Sequence, residues 1–213
     1  GNLDLEKQLA EVCEQRGISL VGPNCLGVLN AEIGMNASFA ATMPSAGNIA
    51  FVSQSGALCT AVLDYAKELG LGFSKFVSIG NKADLNELKL IEYLATDPKT
   101  EVIALYIEQL TDATKLIKAI RKTTQGENPK PILVIKAGRT AEGATAVASH
   151  TGSLSGGDSA YTALFNQSGA IRASSISELF EFAKIFSKNH LQELEHIAIV
   201  TNAGGPGVLT TDE

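Results

Sequence analysis

Tryptophan is absent from this chain, and histidine and cysteine number only three each. Cys13, Cys25 and Cys59 are odd in number and irregularly spaced, so they offer neither a disulfide framework nor a metal-ligand pattern. Thiols left free in this way fit a reducing cytoplasm. No apolar run approaches the ~18 residues of a membrane helix, and the first residues lack the basic-then-apolar order of a secretory signal. The net charge is −6 with no Lys/Arg-rich cluster, which removes nucleic acid from the expected partners. What remains, 45% hydrophobic and 19% charged residues over 213 positions, is the balance of one or two folded domains.

The two ends read as cuts through domains, so a fragment is expected. Gly1-Asn2 runs directly into a helical pattern in which Leu3, Leu5, Leu9, Ala10 and Val12 recur, with Asp4 and Glu6 in the first turn where the helix dipole favours acids. The chain closes at Thr211-Asp212-Glu213, just past a glycine turn expected to start another helix. Gly17 ends the first helix, and Ile18-Ser19-Leu20-Val21 reads as a short strand. Residues 22 to 47 carry Pro23, Gly27, Gly34, Pro44 and Gly47 without a sustained period and read as a connecting loop.

From Asn48 the rhythm is regular. Apolar runs at Ile49–Val52, Phe76–Ile79, Val102–Ile107 and Ile132–Ile135 alternate with helical patterns at about 55–69, 86–96 and 112–123. A Gly/Ala/Ser/Thr-rich stretch through Gly157 reads as a loop. A helix near 159–167, a short strand at 170–172 and a helix at 176–187 follow. Runs apolar on both faces that alternate with amphipathic helices predict a parallel sheet in an α/β fold, with active residues beyond the carboxyl ends of the strands. Ile197-Ala198-Ile199-Val200 starts the pattern again, and Ile49–Gly56 (IAFVSQSG) is echoed by Ile197–Gly204 (IAIVTNAG). Two readings stand: a common strand-to-helix turn used twice, or two related domains that each offer a helix N-terminus to one anion.

Helix N-termini bind phosphate through first-turn amides that have no intrahelical partner, and small residues let backbone approach the ligand. Ser53-Gln54-Ser55-Gly56 and Thr201-Asn202-Ala203-Gly204-Gly205 meet that requirement. His150 lies in Ala148–Gly157 (ASHTGSLSGG), a stretch with almost no bulky side chain to pack around an imidazole, so it is either a nucleophile or an exposed loop histidine. An imidazole attacks phosphorus when one ring nitrogen is free and the other is held as N–H. Glu108, at the carboxyl end of the 102–107 strand, is placed to hold it, or else caps the next helix as a solvated acid. Cys25, in Gly22–Gly27 (GPNCLG), has no histidine nearby in sequence and reads as part of a turn or a ligand contact, not a catalytic thiol. Lys136-Ala137-Gly138-Arg139 is either a phosphate attractor or a solvated edge.

GPNCLG at 22–27, GNIAFVSQSGAL at 47–58, the acid in ALYIEQL at Glu108, SHTGSL at 149–154 and AGGPGVL at 203–209 stand in an order that resembles the α subunit of succinyl-CoA synthetase. They are more similar to the ADP-forming acetyl-CoA synthetase branch of that superfamily. The resemblance implies interconversion of acyl-CoA, ADP and phosphate with the free acid, coenzyme A and ATP through a phosphohistidine. It implies that His150 is phosphorylated and oriented by Glu108, and that Ser53, Ser55 and Gly56 with Gly204 and Gly205 bind the phosphoryl group from two sides. Pro23, Asn24 and Cys25 would lie near the pantetheine arm of coenzyme A. SHTGSL in place of the GHAGA of the succinate enzymes points away from succinate and toward an acetate-like acid. ADP or ATP with Mg would bind an ATP-grasp domain or subunit outside this sequence, and the intact enzyme would be a cytoplasmic oligomer.

The implied domains are the end of a CoA-binding Rossmann domain (1–43), a flavodoxin-like domain (44–190) and the truncated start of another (191–213). Two other functions fit parts of the pattern. One is an acyl-CoA-sensing regulatory region of a protein acetyltransferase. The other is a flavodoxin-type electron carrier, disfavoured because the chain has no Trp and only four Tyr to stack on a flavin.

Overall fold

A strand with no solvated face needs helices on both sides of its sheet, and four strands of this chain are in that position. The computed structural model describes residues 3–151, 157–189 and 198–212, with the backbone alone at 149–151. Its elements run α1 (Leu3–Gln15), β1 (Gly27–Asn30), β2 (Met35–Ser38), β3 (Ala46–Ser53), α2 (Gly56–Glu68), β4 (Phe73–Ser78), α3 (Glu87–Thr96), β5 (Val102–Ile107) and α4 (Ala113–Gln125). They continue through β6 (Ile132–Lys136), α5 (Ala141–Thr151), α6 (Asp158–Ser168), β7 (Ile171–Arg172), α7 (Ile176–Lys188) and α8 (Gly204–Asp212).

The strands form one sheet in the order β2-β1-β4-β3-β5-β6-β7. From β4 to β7 every pairing is parallel, as the alternation of apolar runs and helices predicts. Read in chain order, these five strands stand 2-1-3-4-5, the flavodoxin-like arrangement, and chain direction across the sheet reverses between β3 and β5. Alternate residues of each strand feed two cores. Ile49, Phe51, Val102, Ala104 and Leu133 face α2 and α7, while Ala50, Val52, Ile103, Leu105 and Val134 face α3, α4 and α6. The helices start where the sequence supplies caps: Ser55, Asn86, Asp112 and Ser175 each accept a hydrogen bond from the amide three residues on.

Four expectations are corrected. Ile18–Val21 is not a strand; Leu20 bonds instead to the Asp84 carboxylate (2.8 Å) and the Leu85 amide (3.1 Å), along the turn that follows β4. The stretch 22–47 is not simply a loop. Its hairpin, β1 and β2, joins the sheet antiparallel, with Leu29 opposite Phe76. Four-residue strands with polar or exposed alternate positions carry too little periodicity to announce themselves, and Gly27 (φ +119) enables the pairing, since a Cβ there would stand 2.3 Å from the Ala37 carbonyl oxygen. The small-residue stretch before Gly157 contains a helix, α5, through Thr151. Its alanines favour helix, and Thr140 caps it by accepting from the Gly143 amide at 3.0 Å. Ala198–Val200 forms no strand because no ladder partner lies beside it, and Val200 is 96% exposed; Ile197 lies outside the described residues.

Phe51, Phe73, Phe76 and Phe180 interlock between the sheet and α7, with ring centroids 5.1 to 6.5 Å apart. Phe180→Ala is expected to lower the unfolding free energy by about 3–5 kcal/mol, read from urea titrations. Tyr93→Ala, at a side chain 54% exposed, should change it by less than about 0.5 kcal/mol.

Candidate active site

Open α/β sheets bind ligands beyond the carboxyl ends of the strands where the strand order reverses, and the sequence delivers polar residues to that end between β3 and β5. β3 ends at Ser53, which is fully buried. Its hydroxyl accepts from the Ser55 amide (3.0 Å) and donates to the Ser55 carbonyl (2.9 Å), turning the chain sharply into α2. Ser55 caps that helix by accepting from the Leu58 amide at 3.3 Å. The remaining first-turn amides point out of the helix end, as in any phosphate-binding N-terminus.

A Cβ at Gly56 would stand 3.3 Å from the Leu26 amide nitrogen and 3.8 Å from the Cys25 carbonyl carbon, so residues 25 and 26 pack directly against the start of α2. The same loop is held from below by β4, where the Ser78 hydroxyl accepts from the Leu26 amide at 3.0 Å. Cys25 therefore stands beside Gly56, while Pro23 and Asn24 lie against Gly80 and Asn81, next to Ile79, whose amide donates to the Ser53 carbonyl (2.8 Å).

Glu108 follows β5 immediately and is 6% exposed. Gln54 fastens it to α2. The Gln54 amide donates to the Tyr106 carbonyl (3.1 Å), and its side-chain oxygen accepts from the amides of Glu108 and Gln109. Burial and the Glu108 charge together push the Tyr106 hydroxyl above its ordinary pKa.

Burial also sets the state of two thiols and of one lysine. Burial raises the Cys25 thiol and pushes Cys59 up to about 11, the latter against hydrogen bonds with Ser53 and Ser78; neither is a poised thiolate. Lys136 is not a solvated edge. It is 1% exposed with its amine 4.3 Å over the Tyr161 ring, and burial lowers its pKa against the pull of Asp158 and Glu108.

His150 occupies the last turn of α5, and its side chain lies outside the described residues, as do residues 152–156 of SHTGSL and its continuation. Gly204 and Gly205 open α8, which buries no residue; no atom stands within 4 Å of a Cβ built at either glycine. The described residues thus bring together Pro23–Cys25, Ser53–Gly56 and Glu108, and do not build the second glycine turn into the same place. No group of three or more His, Cys, Asp or Glu that could hold a metal occurs among the described residues.

Sequence reasoning missed Gln54, Ser78, Lys82 and Glu87. The signal was available for Lys82: a charged residue in Gly80–Asp84, a small polar turn leaving the strand beside the reversal, in the same strand-to-helix position as Ser53–Gly56.

The description "Succinyl-CoA ligase like flavodoxin domain" matches residues 46–186. The chain belongs to that family. Within it, the chain is 50% identical over 208 residues to an ADP-forming acetate–CoA ligase I of Archaeoglobus fulgidus, a match covering 98% of this chain and 30% of the relative. It is 44% identical to an ADP-forming 4-hydroxybutyrate–CoA ligase of Nitrosopumilus maritimus, covering 97% of this chain and 30% of that protein. Among solved structures it resembles the dinucleotide-forming acetyl-coenzyme A synthetase 1 of Ca. Korarchaeum cryptofilum in complex with phosphate and ADP. The TM-score is 0.93 at 41% identity over 100% of this chain and 46% of that one. The chain therefore spans about a third of the length of the curated relatives it matches. No helix among the described residues is long and apolar enough to cross a membrane.

Two contacts can be tested, one beside Glu108 and one at the start of α6. Gln54→Leu leaves the amides of Glu108 and Gln109 without their acceptor; it should cost about 1–3 kcal/mol in chemical denaturation and increase hydrogen exchange at both. At the start of α6, the Arg172 guanidinium holds the Asp158 carboxyl below the usual carboxylate range. Because the folded pKa is the lower one, the pair's stabilisation is complete above about pH 4 and fades as pH falls through the folded value. Asp158→Asn should flatten that acid limb of the stability curve.

Proposed function

We propose that this chain is the phosphohistidine-bearing portion of an NDP-forming acyl-CoA synthetase acting on a short acetate-like acid. The observation that carries the reading is the meeting of the α2 N-terminus, the Pro23–Cys25 loop and Glu108 at the strand-order reversal. Its relatives support the chemistry: the Archaeoglobus protein is named for acetate and the Nitrosopumilus protein for 4-hydroxybutyrate, both short carboxylic acids activated with ADP formation.

In this mechanism acyl-CoA enters along Pro23–Cys25 with its thioester at the mouth of α2. A phosphate oxygen attacks the thioester carbon, the C–S bond breaks, and coenzyme A leaves as its thiol after taking a proton. The acyl phosphate formed rests on the first-turn amides of α2, which offset roughly two negative charges without reorganising. The free ring nitrogen of His150 then attacks phosphorus; the bond from phosphorus to the acyl oxygen breaks and the carboxylate departs. Glu108 accepts the other ring N–H, fixing the tautomer and balancing the positive charge that the ring acquires. An ADP oxygen finally displaces the histidine from phosphorus in an ATP-grasp domain or subunit beyond this chain, where Mg would bind. Gly204 and Gly205 would cradle the phosphohistidine from the opposite side once their own domain is complete. The domain division that goes with this reading is the end of a CoA-binding domain (1–43), the flavodoxin-like ligase domain (44–190) and the start of a second (191–213), in a cytoplasmic oligomer.

The test is incubation of the full-length protein with γ-labelled ATP. Acid-labile, base-stable label on His150 is expected, abolished by His150→Asn and slowed roughly 100-fold by Glu108→Gln. An intact protein that binds acyl-CoA and takes up no label would instead be an acyl-CoA sensor.

A further inference from the structure

The turn between β4 and α3 touches both halves of the proposed site. On one side it holds the 22–25 loop. The Asn81 amide donates to the Pro23 carbonyl (2.9 Å), the Ala83 amide to the Gly22 carbonyl (3.0 Å), and the Asn24 side chain to that of Asn81 (3.2 Å). Gly80 (φ +50) lies so close that a Cβ there would stand 2.2 Å from the Pro23 carbonyl oxygen. On the other side it holds the segment that carries Glu108. Lys82, between the two, is one of two non-glycine residues with positive φ among the described residues (φ 58), and its side chain is 4% exposed.

The Lys82 amine donates to Glu87 Oε2 (3.0 Å) and to the Gln109 carbonyl (2.9 Å), while Glu87 Oε1 accepts from the Thr111 amide (2.8 Å). Glu87 is 1% exposed. Burying two charges costs solvation, and well-packed apolar residues in their place are often as stable or more so. A left-handed lysine adds backbone strain. Stability alone therefore does not account for the pair, whereas its geometry does something an apolar pair does not: it bonds to the backbone of Gln109 and Thr111 from a turn that is itself bonded to Gly22 and Pro23.

We propose that Lys82 and Glu87 are positioning residues, a buried bracket that sets Glu108 relative to the 22–25 loop. The proposal deepens the ligase reading and rests on it for what those two parts bind. With the bracket in place, Glu108 is held from two directions: Gln54 ties its amide to α2, and Lys82 and Glu87 tie the following residues to the loop. The carboxylate then meets the acyl-CoA end of the site at one spacing.

The experiment uses full-length protein carrying Lys82→Met/Glu87→Met, which removes both charges and keeps comparable volume. Hydrogen exchange of individual amides is read beside steady-state ATP formation from acetyl-CoA, ADP and phosphate. Expected are an unfolding midpoint close to that of the wild type and exchange at Thr111, whose amide loses its Glu87 acceptor, roughly tenfold or more faster, with the β5 amides unchanged. The kcat should fall roughly 10–100-fold while KM for acetyl-CoA stays within about threefold. Wild-type protection at Thr111, or a released Thr111 amide with an unchanged kcat, overturns the proposal. Should the double variant not fold, Glu87→Gln, which keeps an acceptor for Thr111, runs the same test: a kcat lower by roughly threefold at constant KM supports the bracket, and an unchanged kcat overturns it. A wild-type protein that makes no ATP and labels no histidine sinks the ligase reading separately. The bracket is then decided by amide exchange alone, faster exchange at Thr111 supporting it and wild-type protection there overturning it.

Discussion

The site depends on the reversal of strand order between β3 and β5. Neighbouring strands that send their following helices to opposite faces leave a gap at their carboxyl ends that neither helix covers. Into that gap β3 delivers the start of α2 and β5 delivers Glu108. A helix start is a fixed partial positive charge made of backbone, so its strength does not depend on a side-chain rotamer or on pH. What the rest of the molecule must provide is access, which Gly56 allows by leaving room for the 22–26 loop, and rigidity, which the buried polar groups supply.

Those polar groups are distributed unevenly between the two ends of the sheet. At the carboxyl end Ser53, Gln54, Ser78, Lys82 and Glu87 bond mainly to the backbone of loops, so each one fixes a segment instead of filling a core. At the amino end the polar cluster closes on itself. Asp97 pairs with Lys75 at 3.0 Å and accepts from Thr100 at 2.7 Å, Thr100 meets Ser74, and Lys130 donates to the carbonyls of Leu94 and Asp97. Burial works to raise the Asp97 carboxyl, and its partners outweigh that and lower it. A cavity of about 700 Å³ opens beside this cluster, lined in part by Thr96, Asp97, Glu101 and Lys130, so the amino end is braced from within and not closed off.

Much of this was legible in the residues. Strand 102–107 was placed to the residue, and α2, α3, α4 and α7 began within a residue of their expected starts, because Ser55, Asn86, Asp112 and Ser175 are capping side chains with a local mechanism. The β1–β2 hairpin was not legible, because four-residue edge strands take their identity from the strand they pair with. The helix α5 was hidden because Gly, Ser and Thr suggested a loop while alanine spacing was overlooked. In the site, Ser53–Gly56 and Glu108 announced themselves by position after apolar strands. Gln54 did not, since the Glu108 amide it holds lies 54 residues away in sequence; Lys82 stood in a turn of the same kind, but the Gln109 carbonyl that gives it a role lies 27 residues away.

By itself, the order of residues determined the α/β class, the five parallel strands, the helix that offers its amides at Gly56 and the family whose motifs it carries. These follow from local rules: periodicity, capping and the need of small residues for close backbone approach. The tertiary structure alone decided that Cys25 and Leu26 stand against Gly56, that Lys136 is buried and not a solvated edge, and that Lys82 and Glu87 grip the segment following Glu108. Each of those is a contact between distant stretches, and no local preference of a chain encodes which of its distant stretches will share the gap at a reversal of strand order.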